Sequence, residues 1–201
     1  MEKSILKQSV FNLDFVAADN FDAIINDIIH NKDTTHFPVV ITPNVDLTVH
    51  LNKNKKLLPV FQNARYILPD GAPIIWFSKL LGKPLKKRLA GSDLFPLIWK
   101  AGIQHQKKMF LILPNDIVKT QLTLEYPTAQ CYIPPFFEAT AEEVEKEAQQ
   151  IFPLLQLQQP DFVFLGLRYP KQEMLIINLH EKLNQKNIKL PVFFNLGASY
   201  E

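Results

Sequence analysis

The segments ITPNVDLTVH (41–50) and ARYILPDGAPIIW (64–76) decide how this chain folds. Each contains an apolar run of the kind that forms a buried parallel strand, and each run stops abruptly at a polar turn. Helical spacing of apolar residues follows both turns. Ligands bind at this edge of open α/β sheets, so the turns are the first candidates for a binding site. The turns are Thr42-Pro43-Asn44 and Pro69-Asp70-Gly71.

The same alternation of strand and helix continues along the chain, which predicts βαβ units and a mainly parallel sheet. We therefore expect a three-layer, Rossmann-like α/β fold with about six strands flanked by helices, as a single domain over residues 1–201. A shorter alternating strand is also predicted at 11–16. The six buried strands are predicted at 38–42, 64–68, 108–113, 129–133, 161–167 and 191–197. Helices are predicted at 21–30, 45–52, 71–81, 91–101, 115–125, 140–152 and 171–183.

Composition narrows the class of protein. Of the 201 residues, 47% are hydrophobic and 21% charged, which is typical of a globular protein with a real core. A net charge of +2 gives no reason to expect nucleic acid as a partner. The single cysteine fits a reducing compartment. The chain has no secretory signal and no apolar run near the ~20 residues that span a bilayer, so any membrane contact is expected to be peripheral.

The common chemical motifs are missing. No G-x-G-x-x-G follows a strand, and the chain lacks a G-K-[ST] phosphate loop and a G-x-S-x-G elbow. The five histidines have no metal-ligand spacing, and no Asp-x-Asp pair is present to hold a divalent ion against a diphosphate. We therefore expect no cofactor and no metal. Chemistry on a phosphorylated substrate would rely on helix N-termini and on Arg or Lys.

Asp70 is the first candidate for a catalytic residue. It follows a strand and precedes a helix, where a carboxylate can act as a general base on a bound hydroxyl. The other interpretation is that Asp70 only caps the helix that follows it. Thr42 and Asn44 are open to the same two interpretations, as a turn and cap or as ligand contacts on the rim of one cleft.

Two further segments have open interpretations. The basic run from Lys79 to Arg88 can hold a diphosphate, rest on anionic lipid headgroups, or form only a solvated face. Gln172, in Pro170-Lys171-Gln172-Glu173, can meet a ligand at a helix N-terminus. It can also belong to the exposed first turn of a helix initiated by proline.

Five motifs together resemble the WecG/TagA/CpsF family of bacterial glycosyltransferases. The resemblance runs in order from about Ile41 to Glu201. It implies a Rossmann-like fold and transfer of a sugar without a metal, in the best-known cases N-acetylmannosamine from UDP to an undecaprenyl-diphosphate-linked sugar. The motifs are TPNVDL, LPDGAPIIW, LLGKPLKKRLAGSDL, PPF and PKQE.

The resemblance also implies roles for individual residues. Asp70 becomes the catalytic base, Arg88 a contact to the diphosphate, and Thr42, Asn44 and Gln172 pocket residues. Where the family has Gly-Gly-x-Phe-Asp after the last strand, this chain has GASYE, so Glu201 would stand in for that aspartate. Glycines that are common after the third buried strand are replaced here by Leu113-Pro114-Asn115.

The expected function is thus that of an inverting, metal-independent glycosyltransferase in cell-wall or surface-polysaccharide synthesis. The alternative is a non-catalytic α/β module that binds a nucleotide or a pathway partner. A UDP-sugar, a polyprenyl-diphosphate-linked acceptor and the inner face of the cell membrane are the expected partners, in the cytoplasm. The oligomeric state stays open, a homo-oligomer included.

Family members continue into a basic, Arg-containing C-terminal appendage that docks on the membrane and completes the active site. This sequence ends at Glu201 without one, which suggests either truncation or a departure from the family. If it is truncated, we expect a poor enzyme with an exposed cleft.

Overall fold

The computed structural model describes residues 5–31, 33–125 and 127–197. The chain divides into two compact units, Met1–Ala101 and Gly102–Glu201. Each unit has its own strands, held in a mainly parallel arrangement with helices as the connections between them.

The first unit contains four strands in the order β1-β2-β4-β3. The β1 and β2 strands form an antiparallel hairpin, whereas β2, β4 and β3 are parallel. The parallel pairs place the carboxyl ends of β3 and β4 at the same edge. Its elements are β1 (Lys7–Val10), β2 (Leu13–Val16), α1 (Asp22–His30), β3 (Phe37–Ile41), α2 (Val45–Lys53), α3 (Leu57–Gln62), β4 (Ala64–Ile67), α4 (Ala72–Leu80) and the start of α5 (Gly91–Gln104).

The second unit contains four parallel strands in the order β8-β7-β5-β6. Three of them are almost wholly buried and rich in phenylalanine, and the Phe164 and Phe194 rings stack with centroids 4.7 Å apart. Its elements are β5 (Met109–Ile112), α6 (Asp116–Glu125), β6 (Gln130–Tyr132), α7 (Ala141–Gln158), β7 (Phe162–Leu165), α8 (Lys171–Gln185) and β8 (Val192–Asn195).

The predicted α/β class, with a mainly parallel sheet flanked by helices, is confirmed. The described residues contain eight strands rather than about six: the short strand predicted at 11–16 is present as β2, and it pairs with β1, which the sequence did not predict. Phe11 and Asn12, expected to start a strand, instead form the turn between β1 and β2 at φ values of 52° and 60°. The helix expected to end near Phe152 continues to Gln158 and accommodates Pro153 in its interior.

Among the described residues, no helix is both long enough and apolar enough to cross a bilayer.

Candidate active site

The two turns that follow β3 and β4 lie side by side. The Leu68 N–H donates to the carbonyl of Ile41 over 2.8 Å, and the Asp70 N–H donates to the carbonyl of Pro43 over 3.1 Å. Parallel pairing therefore continues past the strand ends and brings TPN and LPDG together. The β3 and β4 strands are neighbours, as a single cleft at the two turns requires.

Asp70 does not cap the helix that follows it. The residue before α4 is Gly71, at φ 140°, and no side chain accepts from the first turn of α4. Asp70 Oδ1 instead accepts from Arg88 Nε over 3.1 Å, and Oδ2 accepts from the Gly91 N–H over 3.3 Å. The Asp70 carboxylate therefore connects the end of β4 to the loop that contains Arg88 and to the first residue of α5. The interpretation of Asp70 as the N-cap of α4 is therefore wrong.

The loop before α5 returns to the end of β4. The Leu89 N–H donates to the carbonyl of Pro69 over 2.8 Å, which holds the preceding arginine beside Asp70. Half of the Arg88 side chain is exposed, against about a quarter of Asp70. Arg88 contacts Asp70 through Nε, so its terminal nitrogens still have N–H groups that can donate to an anion.

Asn44 has a structural role. Its Oδ1 accepts from the Leu47 N–H over 2.8 Å, so it caps α2. The side chain is exposed, and its Nδ2 has no hydrogen bond within the described residues. Thr42 is buried, at 9% exposure, at the end of β3. The cap interpretation of Asn44 is therefore correct, and its amide nitrogen remains available for a ligand.

Gln172 belongs to a buried polar cluster in the second unit, not to an exposed first turn. Its Nε2 donates to Glu173 Oε1 over 3.2 Å, and the same oxygen accepts from Asn195 Nδ2 over 3.0 Å. All three side chains are less than 5% exposed. Three acceptor oxygens of the cluster have no hydrogen-bond partner among the described residues: Gln172 Oε1, Glu173 Oε2 and Asn195 Oδ1.

Burial raises the pKa of Glu173 above its usual range, although hydrogen bonds from Asn195 and Gln172 act in the opposite direction. Protonation turns one unpartnered oxygen into a donor, which suits a cluster with too many acceptors. Sequence reasoning singled out Gln172 and missed its two partners. A polar residue inside the buried run PVFFNLG was the available signal for Asn195.

The PPF and PKQE motifs meet beside a cavity of about 270 Å³ in the second unit. The ammonium of Lys171 lies 4.5 Å from the centre of the Phe136 ring and 4.9 Å from that of Phe137. Phe136 is 85% exposed, whereas Phe137 is buried. The loops that follow β5, β6 and β7 line the cavity, which places it at the carboxyl ends of these strands. Its walls include Pro114, Pro134, Gly166, Arg168 and Lys171.

Glu201 lies outside the described residues, so the structure says nothing of the role expected for it. Within the described ranges, no group of three or more His, Cys, Asp or Glu side chains is placed to hold a metal ion.

An α/β protein with a carboxylate, an arginine and helix N-termini at the carboxyl ends of parallel strands has the features of an enzyme that handles anionic, phosphorylated substrates. The family follows from the sequence profile of the Glycosyl transferase WecG/TagA/CpsF family, which matches residues 8–201. The chain belongs to that family. The expected family and the expected enzyme class, a glycosyltransferase, are confirmed.

Two curated relatives carry the same name, N-acetylglucosaminyldiphosphoundecaprenol N-acetyl-beta-D-mannosaminyltransferase. The protein from Bacillus spizizenii is 27% identical over 198 residues, which cover 94% of this chain and 71% of the relative. The protein from Staphylococcus aureus is 26% identical over 172 residues, which cover 85% of this chain and 64% of the relative. The chain therefore spans about two thirds of the length of these relatives.

Proposed function

We propose that this chain transfers a sugar from a UDP donor to a sugar on a polyprenyl diphosphate, with inversion and without a metal. N-acetylmannosamine is the sugar that the names of the relatives support, and their acceptor is an N-acetylglucosaminyl diphosphoundecaprenol. The observation that carries the proposal is the placement of Asp70 between Arg88 and the N-terminus of α5.

In the proposed reaction Asp70 removes the proton from the acceptor hydroxyl as its oxygen attacks the anomeric carbon. The bond from that carbon to the donor diphosphate breaks on the opposite face, and UDP leaves with the electron pair. General-base assistance of this kind contributes about 10² to 10⁴ in rate. The Gly91 N–H and Arg88 Nε hold the carboxylate in a single orientation for this step.

Positive charge for the departing diphosphate comes from side chains and helix N-termini in this proposal. The terminal nitrogens of Arg88 are free of the bond to Asp70 and can form a bidentate contact with phosphate oxygens. The second unit has a candidate anion site of its own, where Lys171 stands at the first position of α8 beside the cavity that Arg168 also lines. Cations at a helix N-terminus are the combination that binds phosphate in the absence of a metal.

The buried polar cluster next to Lys171 consists of Gln172, Glu173 and Asn195. It supports a role for this part of the second unit in recognising the sugar donor. Gln172 Oε1 is an acceptor without a partner among the described residues, and a sugar or nucleoside supplies O–H and N–H donors. A buried acceptor of this kind discriminates strongly against ligands that lack the matching donor, since leaving it unpaired costs about 1 to 3 kcal/mol. Peripheral contact with the cytoplasmic face of the membrane is part of the proposal, because the acceptor is a lipid.

The first prediction tests the base. Asp70→Asn keeps the size of the side chain and removes the carboxylate, so transfer should fall by about 10² to 10⁴ while UDP binding is retained. Release of UDP in the presence of a water-soluble lipid-diphosphate acceptor analogue measures transfer, and isothermal titration measures UDP binding. EDTA should leave the wild-type rate unchanged.

A matched control is Asp116→Asn, which alters an exposed aspartate at the first position of α6. It should retain the wild-type rate. Turnover of Asp70→Asn at the wild-type level would refute the assignment of the base. UDP binding by the wild-type chain without any release of UDP would favour the non-catalytic module instead.

A further inference from the structure

The α4 helix has an unusual outer surface. Four large apolar side chains are exposed there, with Trp76 at 66% and Leu80 at 81% exposure. They follow the i, i+1, i+4, i+5 spacing of one side of a helix. Single exposed apolar residues are ordinary, but a contiguous group of this size marks an interaction surface. The α4 face comprises Trp76, Phe77, Leu80 and Leu81.

The inner side of α4 is packed against the first unit. The four outer apolar side chains are therefore exposed while the helix itself is held in place. Ile74, Ile75 and Ser78 are buried. The Ser78 hydroxyl donates to the Ile75 carbonyl and accepts from the Leu85 N–H over 3.0 Å. The Lys83 N–H donates to the carbonyl of Ser78 over 2.9 Å. These bonds hold the segment that follows α4 against the helix.

The α4 helix and the segment that follows it are rich in positive charge. From Ala72 to Arg88 the sequence contains five cations and no acidic residue. Lys86 is paired with Asp19, and Arg88 with Asp70. The remaining three are exposed and have no ion pair within 4 Å in the described part of the chain. We call them the lysine rim: Lys79, Lys83 and Lys87.

We propose that the α4 face and the lysine rim form a docking surface for an anionic lipid bilayer. The inference rests on the proposed function, since it names the surface through which a lipid-linked acceptor would be reached. Tryptophan and leucine beside lysine are the side chains that bind the interfacial region, with the ring or chain in the acyl boundary and the ammonium at the headgroups. With nine residues, α4 can lie on a membrane but cannot span it.

Charge favours a membrane over a second copy of the chain as the partner of this surface. In a two-fold dimer the same patch meets itself, so the lysine rim would face another lysine rim. An anionic bilayer instead complements the rim and removes the apolar side chains from water. The α4 helix begins two residues after Asp70, so docking through it brings the candidate base close to the bilayer surface.

Co-sedimentation of the 201-residue chain with vesicles tests the proposal. One set of vesicles is phosphatidylcholine alone, and the other contains equal amounts of phosphatidylcholine and phosphatidylglycerol. Binding should require phosphatidylglycerol and weaken as salt screens the charges. Trp76 serves as a probe because the other tryptophan, Trp99, is buried, so emission should shift to the blue on binding.

Two double variants address the apolar and charged parts separately. Trp76→Ser with Leu80→Ser should weaken binding by about tenfold or more, because the apolar anchors are lost. Lys83→Gln with Lys87→Gln should weaken it about 25-fold, at about fivefold for each lysine. All four side chains are exposed, so thermal melting should be unchanged.

Control variants replace exposed apolar or lysine side chains outside the α4 face and the lysine rim. Leu124→Ser with Leu157→Ser removes exposed leucines from α6 and α7, and Lys100→Gln with Lys186→Gln removes two exposed lysines. Both controls should bind like the wild type. The proposal is overturned if the wild-type chain fails to bind anionic vesicles, or if test and control variants weaken binding equally. Sedimentation equilibrium that shows a dimer broken by Trp76→Ser with Leu80→Ser, with vesicle binding intact, would also overturn it.

Transfer to the water-soluble acceptor analogue separates this proposal from the proposed function. The docking variants should keep that transfer and lose only vesicle binding. A chain that binds vesicles through α4 but transfers nothing to the soluble acceptor would refute the proposed function and leave the docking surface standing.

Discussion

Glu173 shows how the burial of one acidic side chain makes the stability of the folded chain depend on pH. It is fully buried in the first turn of α8, between Gln172 and Asn195. Its raised pKa means that the folded state binds the proton more tightly than the unfolded state does. Stability is therefore complete below the unfolded pKa, near 4.5, and declines as pH rises from there toward the folded pKa.

Glu173→Gln should remove this decline. The amide keeps an oxygen that accepts from Gln172 and Asn195, and its NH₂ group supplies the donor that protonation would otherwise provide. The free energy of unfolding of the variant should exceed that of the wild type at pH 7, and the difference should shrink as pH falls toward 4.5. Urea titrations at several pH values measure it.

Glu173→Ala serves as the comparison. It leaves the amide groups of Gln172 and Asn195 without their acceptor, so it should cost about 1 to 3 kcal/mol at pH 4.5 and below. The cost should shrink as pH rises, because the wild type loses stability there and the alanine variant does not. A wild-type free energy of unfolding that does not change with pH relative to Glu173→Gln would contradict the buried, protonated state.

At the level of individual residues, the candidate site was predictable from the sequence only in part. Strand ends and turns singled out Asp70 and Asn44 but left each open between a cap and a ligand contact. Arg88 was singled out as a diphosphate contact only by the family resemblance. The Gly91 N–H that holds Asp70 comes from another helix, 21 residues further along the chain. A contact of this range depends on the path of the loop, which residue spacing does not encode.

At the scale of helices and strands, one side chain caps the start of α7. Thr140 Oγ1 accepts from the Glu143 N–H over 3.2 Å, as the sequence T-x-x-E predicts. Thr140→Ala should destabilise the chain by about 1 kcal/mol, because the N–H loses its acceptor. Urea unfolding measures the loss.

Thr140→Ser should restore most of the stability, since its hydroxyl can accept the same bond. Equal loss in both variants would show that the methyl group of Thr140, and not the cap, stabilises this end of the helix.

Helices and strands were predictable from the sequence where the pattern of apolar residues matches the burial of those residues in the structure. The buried strands after β2 were found within one or two residues, because parallel strands covered on both faces are continuous apolar runs. The β1 strand was missed since KQSV has no such run and is held by pairing with β2. The α7 helix extends beyond its predicted end near residue 152. Pro153 is tolerated within it because the neighbouring Ile151 and Leu155 pack in the core.

At the scale of the whole molecule, the ion pair between Asp27 and the buried Arg65 contributes to the response to acid. Burial raises the pKa of Asp27, but hydrogen bonds from Tyr66, Asn31 and Arg65 outweigh it and the net pKa is lowered. Arg65 is almost fully buried in β4 and lies 2.7 Å from the Asp27 carboxylate. A lowered folded pKa contributes stability above the unfolded value, near 3.8, that is lost as pH falls below it.

Asp27→Asn should therefore cost about 3 kcal/mol at pH 7, because the buried guanidinium of Arg65 loses its counterion. The cost should fall as pH decreases below 3.8, where the wild-type carboxylate loses its own advantage. Unfolding by urea at pH 7 and pH 3 compares the two proteins. A difference that is the same at both values would show that Asp27 acts through packing alone.

If UDP binds at the first turn of α8, as proposed, its binding should stabilise the folded chain. Lys171 lies at the positive end of the α8 dipole, a repulsive pairing that the Phe136 and Phe137 rings partly offset. A bound diphosphate would remove that repulsion in the folded state only. By linkage, UDP at 100 times its dissociation constant should add about 2.7 kcal/mol to stability, visible as a higher melting temperature. Melting curves could then rank donor nucleotides without any lipid acceptor, and Lys171→Gln should diminish the shift.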